Sequence, residues 1–137
     1  MNDAGLALLK HYEGFSPTTY LDSGGVPTIG YGMTYGVKLG DTITQDEADK
    51  RLLSLLADYE KSVPPGTENQ RAAMTCLCFN IGAPRFSTSS VKRLHLKGDF
   101  PGAANAFLLW DKCNNKVLPG LVKRRNAERT LYLTEDK

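Results

Sequence analysis

Between residues 24 and 36 the chain carries five glycines, at positions 24, 25, 30, 32 and 36, threaded through Val26, Pro27, Thr28, Ile29 and Tyr31. A helix cannot run through such a stretch. Each glycine costs about 1 kcal/mol against alanine in a helix interior, and the proline removes a backbone donor. Tight turns and short strands are what it permits. Thr18, Thr19, Tyr20 and Leu21 read as a strand, Asp22-Ser23-Gly24-Gly25 as a turn, and residues 26–31 as the returning strand. A further strand is expected through residues 35–39.

The flanks read differently. Asp3 can cap a first helix reaching Tyr12, with Leu6 and Leu9 on its apolar side, and Gly14 ends it in the left-handed conformation that helix C-termini favour. Beyond the glycines the chain is almost wholly helical. Thr44-Gln45-Asp46-Glu47 and Thr67-Glu68-Asn69-Gln70 are capping boxes. They open an amphipathic helix over 48–62, stopped by Pro64-Pro65-Gly66, and a helix over 71–81 that is apolar on nearly all sides and therefore central and buried. A helix over 87–97, one over 101–110 capped by Asp99, a loop over 113–120 and a last helix over 121–133 complete the pattern. One small sheet followed by five helices makes a single α+β domain over 1–137, with a cleft expected between a hairpin lobe and a helical lobe.

At 137 residues, 41% hydrophobic and 23% charged, the chain has the composition of an ordinary globular domain. No apolar run approaches the roughly 20 residues of a membrane span, and no secretory signal opens the chain. A net charge of +2 marks neither a nucleic-acid nor a membrane specialist. The charge is uneven, however: residues 1–84 sum to −4 and residues 85–137 to +6. A basic half can steer an anionic polymer, although a solvated face is the simpler reading. Cys76, Cys78 and Cys113 read as buried free thiols, and with only His11 and His95 beside them they have no metal-site spacing. No cofactor or metal is implied, and a monomer is expected.

Chemistry concentrates in residues 12–34. Glu13 falls at the end of the first helix, near the negative pole of its dipole, where a carboxylate is electrostatically misplaced. Asp22 stands at a glycine turn, and Thr28 follows on the return strand. Two acids in unlike environments are what acid-assisted bond cleavage needs, since one must donate a proton while the other stays ionised. Taken singly, Asp22 is an ordinary turn residue and Thr28 an ordinary strand residue.

In combination they are more specific. Glu13, eight residues, Asp22, five residues, Thr28 resembles the pattern of phage-type lysozymes, endolysins of glycoside hydrolase family 24. So does Gly24-Gly25-Val26-Pro27-Thr28-Ile29-Gly30-Tyr31-Gly32 around the threonine. The likeness continues through Cys78-Phe79-Asn80-Ile81-Gly82 and residues 102–110, and ends in residues 118–133. The resemblance implies a lysozyme-like fold and hydrolysis of the β-1,4 bond between N-acetylmuramic acid and N-acetylglucosamine in bacterial peptidoglycan. It further implies Glu13 as general acid, Asp22 as second carboxylate or base, and Thr28 as the holder of the attacking water. It favours inversion, for which the carboxyls stand roughly 6.5–9.5 Å apart.

One position departs from the pattern. Met33 stands where family members commonly carry histidine, a loss expected to affect how the hairpin is anchored and not the chemistry. Some relatives carry an N-terminal membrane segment that this sequence does not show; either the protein waits in the host cytoplasm for a holin, or that segment has been trimmed away. A lytic transglycosylase and an inactive wall-binding module are the other readings. Elsewhere, Phe107 and Trp110 read as core and His11 as helix surface. Lys123-Arg124-Arg125 is either a wall-binding patch or a solvated helix face.

Overall fold

The computed structural model describes residues 1–22 and 24–135; Ser23, expected in the hairpin turn, lies outside the described residues. The chain divides into two compact units, Leu9–Leu55 and Met1–Leu8 together with Leu56–Lys137.

Within the first unit, helix α1 (Asp3–Glu13) ends and a two-stranded antiparallel hairpin follows, β1 (Ser16–Leu21) against β2 (Pro27–Gly30). Tyr20 pairs with Thr28 and Leu21 with Pro27, while Ser16 pairs with Gly30, so the register slips between Ser16 and Tyr20. The slip turns Pro17, Thr18 and Thr19 towards another segment. The Pro17 carbonyl accepts from the Ile43 N–H at 2.8 Å, Thr18 bridges Thr42, and the Thr19 N–H reaches the Asp41 carbonyl at 3.1 Å. The third stretch of pairing therefore lies at residues 41–43. Residues 35–39 do not form the expected strand: they turn, with Tyr35 96% exposed. Alternating side chains do not make a strand without a partner for the backbone. Leu9, Ile29, Tyr31, Met33, Ile43, Ala48 and Leu52 are the unit's buried apolar residues.

Helix α2 (Gln45–Glu60) starts where its box predicts. The Thr44 hydroxyl accepts from the Glu47 N–H at 3.2 Å and donates to the Glu47 carboxylate at 3.1 Å.

The larger unit is helical. Helix α3 (Glu68–Ile81) has both reciprocal bonds of the Thr67–Gln70 capping box and buries every residue from 72 to 78, as its apolar sequence requires. Around it lie α4 (Ala83–Ser87), α5 (Ser90–Leu96), α6 (Phe100–Phe107) and α7 (Pro119–Leu133). The expected helix over 87–97 is thus two helices. Ser89 leaves the helical conformation at ψ 154 and accepts from the Lys92 N–H, which starts α5 afresh. Residues 113–120 are not all loop either: β3 (Lys112–Cys113) and β4 (Lys116–Val117) form a ribbon closed by Asn114 and Asn115, at φ 52° and 65°. Two positive-φ residues are what a tight primed hairpin turn needs, and asparagine tolerates them. The core gathers Met74, Leu77, Phe86, Val91, Phe107 and Tyr132, with Trp110 packed against it.

The basic run of α7 is mostly interior. Arg125 and Glu128 are both 0% exposed and Arg124 is 4% exposed. Arg124 Nε and Arg125 Nη2 each donate to Glu128 Oε2 at 3.2 Å, and Arg125 Nε lies 2.8 Å from Oε1. Neither a wall-binding patch nor a solvated face describes these arginines, because Glu128 one turn on balances them inside the fold. Lys123 alone of the three is exposed. His95 is also buried: its Nε2–H donates to the Pro65 carbonyl at 2.7 Å, and Nδ1 meets the Tyr132 hydroxyl at 2.7 Å. Burial pushes that phenol up to about 12.

Replacing Glu128 by Gln leaves buried guanidinium charge uncompensated and is expected to lower unfolding stability by about 3–5 kcal/mol in urea titration; an unchanged midpoint would refute the buried pairing. The thiols offer a second check. Cys76 and Cys78 are buried, whereas Cys113, contrary to expectation, is exposed on the ribbon. Burial pushes the Cys78 thiol up to about 11, with Lys92 offsetting part of the shift. A thiol reagent should label Cys113 alone in the native protein and all three cysteines after denaturation.

Candidate active site

Glu13, Asp22 and Thr28 all belong to the Leu9–Leu55 unit. Glu13 is the last residue of α1, half-buried, and Gly14 closes the helix at φ 68° with its N–H on the Lys10 carbonyl at 2.9 Å. The Glu13 carboxyl rests on the backbone of Gly32: a Cβ at Gly32 would lie 2.5 Å from Glu13 Oε1. Gly32 also has φ 74°. Position 32 therefore needs glycine twice, for its backbone angle and for the space the acid occupies.

The loop bearing Gly32 is pinned by its neighbour. The Tyr31 hydroxyl donates to Asp49 Oδ1 at 2.9 Å and is itself met by Gln45 Nε2, while Lys10 Nζ sits 3.2 Å from the same Asp49 oxygen. The Tyr31 bond, then that from Gln45, holds the Asp49 carboxyl below its ordinary value. Lys10 also lies 5.5 Å above the Tyr31 ring. Residues from α1, the loop and α2 thus converge one residue from Gly32. Met33 anchors the loop from its other side through the backbone, exchanging two 2.9 Å hydrogen bonds with Ile29, and its side chain is buried.

Asp22 is built into the hairpin turn. Its N–H reaches the Val26 carbonyl at 3.0 Å, and its Oδ1 accepts from the N–H groups of Gly24 at 2.8 Å and Val26 at 2.9 Å. These short local bonds fix the carboxylate's orientation. Thr28 is 3% exposed, and its hydroxyl donates to the same Val26 carbonyl at 2.8 Å. With its proton so engaged, the Thr28 oxygen meets any further group as an acceptor. Across the hairpin, Tyr20 senses both acids: burial first, then the charges of Glu13 and Asp22, raise its phenol above the ordinary value. Sequence reading passed over Tyr20 as a plain strand residue, and Gly32 as one glycine among several.

The chain matches the model of the family described as Phage lysozyme over residues 10–128. It belongs to the phage lysozyme family. It is 39% identical to the endolysin of Acyrthosiphon pisum secondary endosymbiont phage 1, over 96% of this chain and 97% of that protein. It is also 39% identical to the endolysin of Salmonella phage P22, over 95% of each. Among solved structures, the muramidase domain of SpmX from Asticcacaulis excentricus superposes with a TM-score of 0.89 at 34% identity, covering 98% of this chain and 97% of that one. The architecture of this phage lysozyme is accordingly lysozyme-like, α+β and mostly helical.

The seat of Glu13 is testable with two glycines of equal backbone strain. Gly36, at φ 69°, has nothing within 4 Å of an added Cβ. Gly32→Ala and Gly36→Ala should each cost about 1 kcal/mol of stability. Only Gly32→Ala should cut lytic activity tenfold or more in turbidity assays of permeabilised cells, since it alone displaces the Glu13 carboxyl; equal activities would contradict the seating.

Proposed function

We propose that Glu13, Asp22 and Thr28 carry the chemistry of this phage lysozyme, in a single lysozyme-like domain. The protein is a glycoside hydrolase acting on bacterial peptidoglycan, and the bond cleaved is the β-1,4 link between N-acetylmuramic acid and N-acetylglucosamine. The observation that carries the assignment is local: Asp22 and Thr28 are both tied to Val26, while Glu13 is seated separately on Gly32.

The roles follow from the hydrogen-bond inventory. Glu13 donates its proton to the departing glycosidic oxygen, so that the leaving sugar departs as an alcohol. Thr28, its own proton on the Val26 carbonyl, accepts one hydrogen of the attacking water. Asp22 accepts the other through Oδ2, its Oδ1 being occupied by the turn. Held by two acceptors, the water points a lone pair at the anomeric carbon from the face opposite the leaving group. Bond cleavage and attack leave Asp22 with the water's proton and Glu13 without its own, and exchange with solvent restores both.

Among the described residues no helix is long and apolar enough to cross a membrane. As part of the same proposal, the protein stays in the host cytoplasm until a holin opens the inner membrane and then acts at the cell wall, as a monomer with no nucleic-acid partner.

Glu13→Gln preserves size but cannot protonate the leaving group. It should reduce lysis of permeabilised Gram-negative cells by at least a hundredfold while leaving thermal stability unchanged, and near-normal lysis would sink the assignment. In the wild-type digest, mass spectrometry of the muropeptides should show free reducing ends; 1,6-anhydro ends would instead identify a transglycosylase.

A further inference from the structure

Tyr20 stands directly across the hairpin from Thr28 and two residues before Asp22. Directly paired residues of antiparallel strands share a face, as do residues two apart along one strand. Tyr20 therefore lies on the face of the hairpin that carries Thr28, and its strand, β1, leads directly into Asp22. Thr28 is 3% exposed and Tyr20 is 41% exposed, so the tyrosine is the member of the pair that meets solvent. Among the described residues its hydroxyl has no hydrogen-bond partner, and neither has Asp22 Oδ2.

A carboxylate offers about four acceptor sites. Among the described residues Gly24 and Val26 donate to Oδ1, which leaves Oδ2 to the water of the proposed mechanism. A carboxylate fixed at one oxygen and loose at the other positions a water poorly. Tyr20, on the strand that leads into Asp22, carries a donor hydroxyl and is 41% exposed.

We propose that Tyr20 is a positioning residue of the hydrolytic site, its phenolic O–H donating to Asp22 Oδ2 and so fixing the acceptor that orients the attacking water. This rests on the assignment of Asp22 above. The same placement raises the Tyr20 phenol, through burial first and then the charges of Glu13 and Asp22. The same rise keeps the group protonated, and thus a donor, well into alkaline solution. Because the hydrogen bond acts on the water that attacks in the transition state, the contribution belongs to kcat and not to KM.

The test is a double-mutant cycle on soluble peptidoglycan fragments. Tyr20→Phe keeps the ring and removes the hydroxyl; kcat should fall about tenfold, as expected for a hydrogen bond to a charged group, with KM within twofold and melting temperature unchanged. In an Asp22→Asn background the same substitution should have little further effect on kcat. A wild-type kcat in Tyr20→Phe, a loss confined to KM, or a full tenfold loss retained beside Asp22→Asn would overturn the proposal. An Asp22→Asn enzyme of normal activity would overturn instead the role of Asp22 itself, a result distinct from a silent Tyr20→Phe.

Discussion

Both peptide groups that Val26 offers are given to the site. Its N–H binds Asp22 Oδ1 at 2.9 Å, and its carbonyl receives the Asp22 N–H at 3.0 Å and the Thr28 hydroxyl at 2.8 Å. No side-chain chemistry at position 26 is involved. The geometry of the turn sets the distance and orientation between a carboxylate and a hydroxyl that are six positions apart. Because each of these bonds uses a backbone group of a tight turn, they form with the hairpin, and Asp22 Oδ1 and the Thr28 hydroxyl are oriented before substrate arrives.

Glu13 is positioned by other means. It rides at the end of a helix, where the chain must reverse sharply, and its carboxyl lies on a glycine whose neighbour Tyr31 is tied to Asp49 and, through it, to Lys10. The proposed acid and the pair proposed to hold the water thus depend on separate constraints, one a helix end against a pinned loop and the other a strand turn. Damage to one need not disturb the other. This is the arrangement a two-carboxyl hydrolase requires, because its acid and its base act on opposite faces of the same bond.

What could be read from the sequence was what is local. Helix starts at Thr44 and Thr67 are written in four-residue boxes, and both form. The hairpin is written in glycines, and the three functional candidates come from a helix end, a glycine turn and a family resemblance. What could not be read depends on partners distant in sequence or on cross-strand register. Residues 35–39 alternate as a strand should, yet the pairing goes to residues 41–43, because the slip in β1 points its backbone there. Arg124 and Arg125 looked like surface charge because sequence shows a charge and not its burial; Glu128, one turn further along, was the overlooked signal. Asn114-Asn115 was a legible turn signal that lost to the bland reading of a polar loop. Tyr20 acquires meaning only once its register opposite Thr28 is known.

The central claim is that a water held by Asp22 and Thr28 attacks the sugar from the side opposite the acid Glu13. The direct measurement is the anomeric configuration of the freshly released reducing end, followed by proton NMR before mutarotation equilibrates it. Attack by that water inverts the β-linkage, and the α-anomer should appear first. Initial release of the β-anomer would mean that the bond is cleaved with retention, and would contradict the account.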